Sequence, residues 1–161
     1  MSDVGVDQPI LCIPRTCHVG SLSHLHHFAD QHHAILKTPM LNRPNSRTQL
    51  TEFANTLTQA NIAVLVGTEE ELATIAENPR VAYAKQEMLK RGGLMLYLHT
   101  DLTSVKNASI SPDHPFFFGV PQSLYENSAI RFEDEACRVV HMRADSVAIR
   151  QMLICSLAYF Q

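Results

Sequence analysis

The run Ile62-Ala63-Val64-Leu65-Val66, closed by Gly67, constrains the fold more than any other segment. An unbroken apolar stretch of this length and β-branched character has no polar face, which is the pattern of a central strand covered on both sides. Thr68-Glu69-Glu70-Glu71 follows at once. Its spacing predicts a capping box, with the Thr68 hydroxyl and the Glu71 carboxylate each satisfying a backbone donor of the first helical turn. The helix breaks at Asn78-Pro79 and resumes from Arg80 to Arg91, before Gly92-Gly93. Glycine suits a helix C-terminus, and Lys90 and Arg91 complement the dipole there. Leu94-Met95-Leu96-Tyr97-Leu98 is then a second buried strand. Strand, helix and strand in this order predict a right-handed crossover between parallel strands.

The remaining segments fit around that unit. Residues 1–8 are polar and read as a frayed N-terminus; residues 9–161 read as a single α/β domain. Pro9 to Ile13 is a short buried strand ended by Pro14. From Ser21 to about Lys37 the apolar residues Leu22, Leu25, Ala29 and Leu36 recur at helical spacing, with His32 on the same face. Residues 38–45, with two prolines and two asparagines, form a loop. Leu50, Phe53, Ala54 and Leu57 predict a helix from Ser46 to Ala60. Phe116 to Val120 is a strand or a packed plug. Ala129–Phe132 and Arg138–Met142 are a pair of strands joined by the acidic turn Glu133-Asp134-Glu135, and a helix closes the chain from Asp145 or Ser146 to about Phe160. The expected fold class is α/β, a three-layer mixed sheet with a parallel strand–helix–strand core and helices on both faces.

A chain of 161 residues is the size of one domain. Its net charge of −3, with basic residues scattered, supplies no footprint for nucleic acid or an anionic membrane. Met1-Ser2-Asp3-Val4 has neither the basic nor the apolar region of a secretory signal, so a cytoplasmic location with reduced thiols is expected. The longest apolar stretch, Ala148 to Phe160, is interrupted by Arg150, Gln151 and Ser156 and is too short to span a bilayer.

Histidine is the compositional outlier. Of nine residues, six lie between His18 and His33. At about 100° per residue, His26, Asp30 and His33 fall on one stripe of the expected helix. Two imidazoles and a carboxylate are ordinary ligands for a divalent metal such as zinc, and Cys17 and His18 just upstream could complete a tetrahedral set. The spacing matches no standard metal signature. The alternative is a solvated set of histidines on an amphipathic helix.

Ligands of open α/β sheets bind beyond the carboxyl ends of the strands, an edge that here presents Thr68, His99 and Asp101. No GxGxxG or GxxxxGK[ST] loop is present, and three glutamates at the helix start would repel a phosphate. His99 and Asp101 could form an acid–base pair, or could be a polar exit from the sheet. The four cysteines lack CxxC spacing, and Cys137 and Cys155 sit where a buried thiol is ordinary packing. A Cys17–His18 nucleophile is disfavoured, because adjacent side chains rarely reach nucleophile–base geometry. The closing helix is apolar almost all round, which places Met152, Leu153, Leu157 and Phe160 in a core or in a homodimer interface.

The stretch Ala60–Leu98 resembles half of a phospholipase-D-like domain, where a strand–helix–strand unit has a basic-glycine turn before an apolar strand. The catalytic signature of that superfamily is His-x-Lys with an aspartate further on. His141-Met142-Arg143 has arginine at the lysine position and Asp145 follows too closely, so no residue and no activity carries over. Three functions are therefore expected in order. The first is a non-catalytic regulatory or protein-interaction module, homodimeric through its last helix. The second is a small divalent-metal-dependent enzyme or metal sensor using His26, Asp30 and His33. The third is a small-molecule sensor with its pocket near Thr68, His99 and Asp101.

Overall fold

A computed structural model of the protein describes residues 8–16, 22–101, 131–133, 138–143, 153, 154 and 157. The elements follow the order β1 (Ile10–Cys12), α1 (Leu22–Gln31), β2 (Ile35–Lys37), α2 (Arg47–Leu57), β3 (Ile62–Gly67), α3 (Glu69–Glu77), α4 (Pro79–Lys90), β4 (Leu94–His99), β5 (Arg131–Phe132) and β6 (Val139–Arg143). They build one sheet in the order β2-β1-β3-β4-β6-β5. Five of its strands are parallel, and β5 runs antiparallel on the edge. The protein is an α/β fold of the expected three-layer kind.

The period of two along each strand sorts side chains onto the two faces of the sheet. Ile62 and Val64 of β3, with Leu94, Leu96 and Leu98 of β4, pack with Phe28 and Ala29 of α1 and with the helical residues Leu153 and Leu157. Ala63 and Leu65, with Met95 and Tyr97, pack under α2, α3 and α4 through Leu50, Phe53, Leu57, Leu72, Ile75, Val81, Ala84 and Met88. This double burial is why both long strands read as unbroken apolar runs.

Local signals set the boundaries. Thr68 Oγ1 accepts from the Glu71 amide at 3.2 Å, and Glu71 Oε1 accepts from the Thr68 amide at 2.9 Å, closing the capping box. Asn78 caps α4 by accepting from the amides of Arg80 and Val81, with Pro79 opening the helix. Gly92 takes a left-handed φ of 85°, and the Gly93 amide returns to the Met88 carbonyl at 3.0 Å. Replacing Thr68 with alanine should lower stability by about 1 kcal/mol, because the Glu71 amide loses its acceptor, whereas the backbone amide at position 68 can keep the Glu71 carboxylate. In urea unfolding, the midpoint should fall with the slope unchanged; an unchanged midpoint would mean that the cap contributes nothing.

One expectation is corrected. The first helix ends at Gln31 instead of running to Lys37, and Ile35–Lys37 is the edge strand β2. His33 adopts a left-handed φ of 55°, and the Ala34 amide bonds to the Ala29 carbonyl at 2.8 Å. Parallel pairing of Ile10 with Ile35 and of Leu11 with Leu36 then draws the chain alongside β1. A three-residue edge strand has too little length for its period to show in sequence, and its ladder is a non-local interaction. Among the described residues, no helix is long and apolar enough to cross a membrane.

Candidate functional site

The polar end of the α3/α4 face carries the chemistry. Tyr97 and His99 alternate along β4 onto that face, and β6 places His141 beside Tyr97 in register. All three are almost wholly buried, with His99 at 2% and His141 at 9% exposure. His99 Nε2 and His141 Nδ1 lie 2.8 Å apart in a hydrogen bond. The Tyr97 ring stacks on His141 with centroids 4.6 Å apart and planes at 16°. Burying two imidazoles inside a sheet costs free energy unless their nitrogens are satisfied, so this contact fixes both rings.

A second contact orders the protons. Glu133 follows β5, anchored by its amide to the Val139 carbonyl at 2.9 Å. Its Oε2 accepts from Lys85 Nζ at 2.9 Å and lies 3.9 Å from His141 Nε2. A carboxylate facing Nε2 favours a proton on that nitrogen, which leaves Nδ1 of His141 as acceptor and His99 Nε2–H as donor; the tautomers follow from this network. Two imidazolium rings would bring two N–H groups head to head, so the pair holds at most one positive charge.

Lys85 rises from α4 with its ammonium 5.0 Å from the centre of the Tyr97 ring. Burial lowers its pKa, but Tyr97 and Glu133 together more than offset this and hold the ammonium above its ordinary value. Burial pushes the Tyr97 hydroxyl up, and Lys85 pulls it only part of the way back. Tyr97 is therefore a neutral phenol at physiological pH.

These groups open into a cavity of about 290 Å³ between the sheet and α3. Glu69, Leu72, Ala73, Ala76 and Glu77 form its helical wall, opposite Tyr97, His99, His141 and Glu133. The wall residues recur at i, i+3, i+4, i+7 and i+8, one face of the helix, and the two alanines leave the space. The topological switch of the sheet lies elsewhere, between β1 and β3.

The structure redistributes the residues expected from sequence. Thr68, His99 and Asp101 do meet at one sheet edge, where the Thr100 amide bonds to the Gly67 carbonyl at 3.0 Å. Only His99 lines the cavity. The Thr68 hydroxyl is engaged in the capping box, and Asp101 Oδ1 accepts from the Glu69 amide at 3.0 Å. His99 pairs with His141 of the neighbouring strand, and Asp101 is held at the first amide of α3. Asp30 and His33 are exposed, and His33 lies beyond the end of α1, so the helical stripe that required it does not form. The side chain of His26, together with Cys17 and His18, lies outside the described residues. Among the described residues no group of three or more histidine, cysteine or acidic side chains could hold a metal ion. Leu153 and Leu157 pack into the core of their own chain, while Met152 and Phe160 lie outside the described residues. Cys12 is fully buried, and burial pushes its thiol up to about 12, which leaves it inert.

No protein-family model, curated protein or solved structure matches the chain.

Proposed function

We propose that the domain senses a small molecule held in the cavity between α3 and the carboxyl ends of β4 and β6. The observation that carries this reading is the buried His99–His141 hydrogen bond at the cavity wall. An apolar pair at these positions would satisfy the fold at lower desolvation cost. Small-molecule sites have this composition: apolar walls with a few convergent polar groups, at the end of a sheet. Leu72, Ala73 and Ala76 supply the apolar wall, and Tyr97, His99, His141 and Glu133 the convergent groups. A volume of about 290 Å³ suits an occupant of metabolite size.

The test is a fragment screen by NMR on the intact chain, comparing it with Ala76→Phe, which fills the cavity from the helix side. Saturable shifts should map to Leu72, Tyr97 and His99, and the variant should weaken them by about tenfold or more, ~1.4 kcal/mol, at unchanged helical content. Fragments that map elsewhere, or that bind the filled variant equally well, would remove the reading.

A further inference from the structure

The His99–His141 bond ties the union of two strands to acidity. It crosses from β4 to β6, with ring centroids 5.0 Å apart and planes at 35°. The nitrogens that meet at 2.8 Å, His99 Nε2 and His141 Nδ1, share one proton between them. While that bridge stands, the four ring nitrogens hold at most three protons, one more than in the neutral pair. A fourth proton has to enter between the bridging nitrogens, where two N–H groups and two positive charges would meet in a buried site. It enters only when the rings part. Nothing opposes it in the unfolded chain, where each imidazole takes its own proton below about pH 6.5. The folded pair then binds one proton fewer than the unfolded one. Its stabilisation is therefore fully present above about pH 6.5 and is lost as the pH falls.

The charged groups around the pair act on the first proton and leave the bridge as it is. Glu133, 3.9 Å from His141 Nε2, and the stacked Tyr97 ring attract an imidazolium, while Lys85 of α4, bonded to Glu133, opposes it. Glu69 and Glu77 of α3 line the same cavity as both rings, and Asp101 lies at the same sheet edge. Arg143 stands opposite His99 in register and is exposed, and Arg131 stands opposite His141. None of these groups gives the bridge a second lone pair.

The sheet also decides what yields when the rings part. β4 and β6 are paired over five residues, from Met95–Val139 to His99–Arg143. β5 is paired to β6 over two, Arg131–His141 and Phe132–Val140, and carries Glu133 beyond them. The shorter pairing, on the edge, is the weaker restraint on a displaced His141 ring. The cavity, lined by both histidines, gives water a way to the separated imidazolium groups.

We propose that the His99–His141 pair is an acid-operated latch on this edge of the sheet. It is closed while at most one ring is charged, and it releases β5 and Glu133 when both are. No occupant of the cavity is needed for it to work.

Urea unfolding of the intact chain between pH 7.5 and 5 measures the missing proton, and amide exchange measures the release. The comparison is with His141→Asn, whose side-chain oxygen can take the place of Nδ1 as acceptor and binds no proton. Relative to that variant, the unfolding constant of the unsubstituted chain should rise about tenfold from pH 6 to pH 5. His99→Leu combined with His141→Leu removes both titrating rings and gives the same comparison if the asparagine variant does not fold. The Glu133 amide, bonded to the Val139 carbonyl at 2.9 Å, should be less protected than global unfolding allows. Its protection should fall about tenfold over the same pH step in the unsubstituted chain and stay constant in the variant. Parallel unfolding profiles for chain and variant would overturn the proposal. A Glu133 amide protected to the global limit at pH 5 would do the same, because the edge would then not be released.

Discussion

Raising the pH from 9 towards 12 should remove about 4 kcal/mol of stability through Cys12 alone. Cys12 lies on β1, between β2 and β3, with none of its surface exposed. Burial raises its pKa from 9.0 to about 12 because a thiolate there would lose its hydration without gaining a partner. The sign follows from proton affinity. Below pH 9 the thiol is protonated in both states, and its contribution is fully present. Above pH 9 the unfolded thiol ionises first and pulls the equilibrium open, until the folded thiol ionises near 12. Tyr97, also raised by burial, adds a loss of the same sign at high pH. Lys85, held above its ordinary value by Tyr97 and Glu133 against the opposing effect of burial, loses that stabilisation as it deprotonates. Urea unfolding between pH 8 and 11.5 separates these groups if the chain is compared with Cys12→Ala. The variant should start lower because of the cavity it creates, and should fall less steeply above pH 9. Parallel pH profiles for the two proteins would show that Cys12 is not the source.

The second large effect concerns the histidine pair. Replacing His141 by leucine removes the acceptor of the 2.8 Å bond and leaves a polar nitrogen of His99 buried. That should cost about 1–3 kcal/mol, as should the converse change at His99. Replacing both by leucine removes the two polar groups together and leaves side chains suited to the α3/α4 face. The double variant should therefore be more stable than the sum of the single losses implies, by about 1–2 kcal/mol. A double-mutant cycle on unfolding free energies measures that difference directly. Strict additivity would mean that the two rings do not depend on each other.

How much of this was legible before the fold is best seen residue by residue. The unit from Ile62 to Leu98 could be read at each junction, because capping, the Asn78-Pro79 break and the Gly92-Gly93 stop act within a few residues. The pairing of a strand near 131 with one near 140 was also readable from alternation around a short acidic turn. His99 was readable as a sheet-edge residue, but its partner was not. Asp101 is two positions away in sequence, and His141 is 42 positions away. Tyr97 read as one more apolar strand residue and Glu133 as part of a turn, and nothing local singled out Lys85 within the helix from Arg80 to Arg91. Their signal was the polar residue inside a buried strand, His141 among Val139, Val140 and Met142, and it has meaning only once a neighbouring strand is known.

The histidine-rich segment shows the opposite case. Its composition was conspicuous, yet the stripe of His26, Asp30 and His33 required a helix that continued past Gln31. A left-handed residue at His33 and a ladder to β1 ended it there. The sequence by itself determined the class of the fold, the long parallel strands and the caps of the helices between them, because those depend on periodicity and on hydrogen bonds within one turn. The tertiary structure alone decided the edge strand β2, the partner of His99 and the cavity beside it. Register between strands distant in the chain chooses which side chains meet, and no local pattern carries that information.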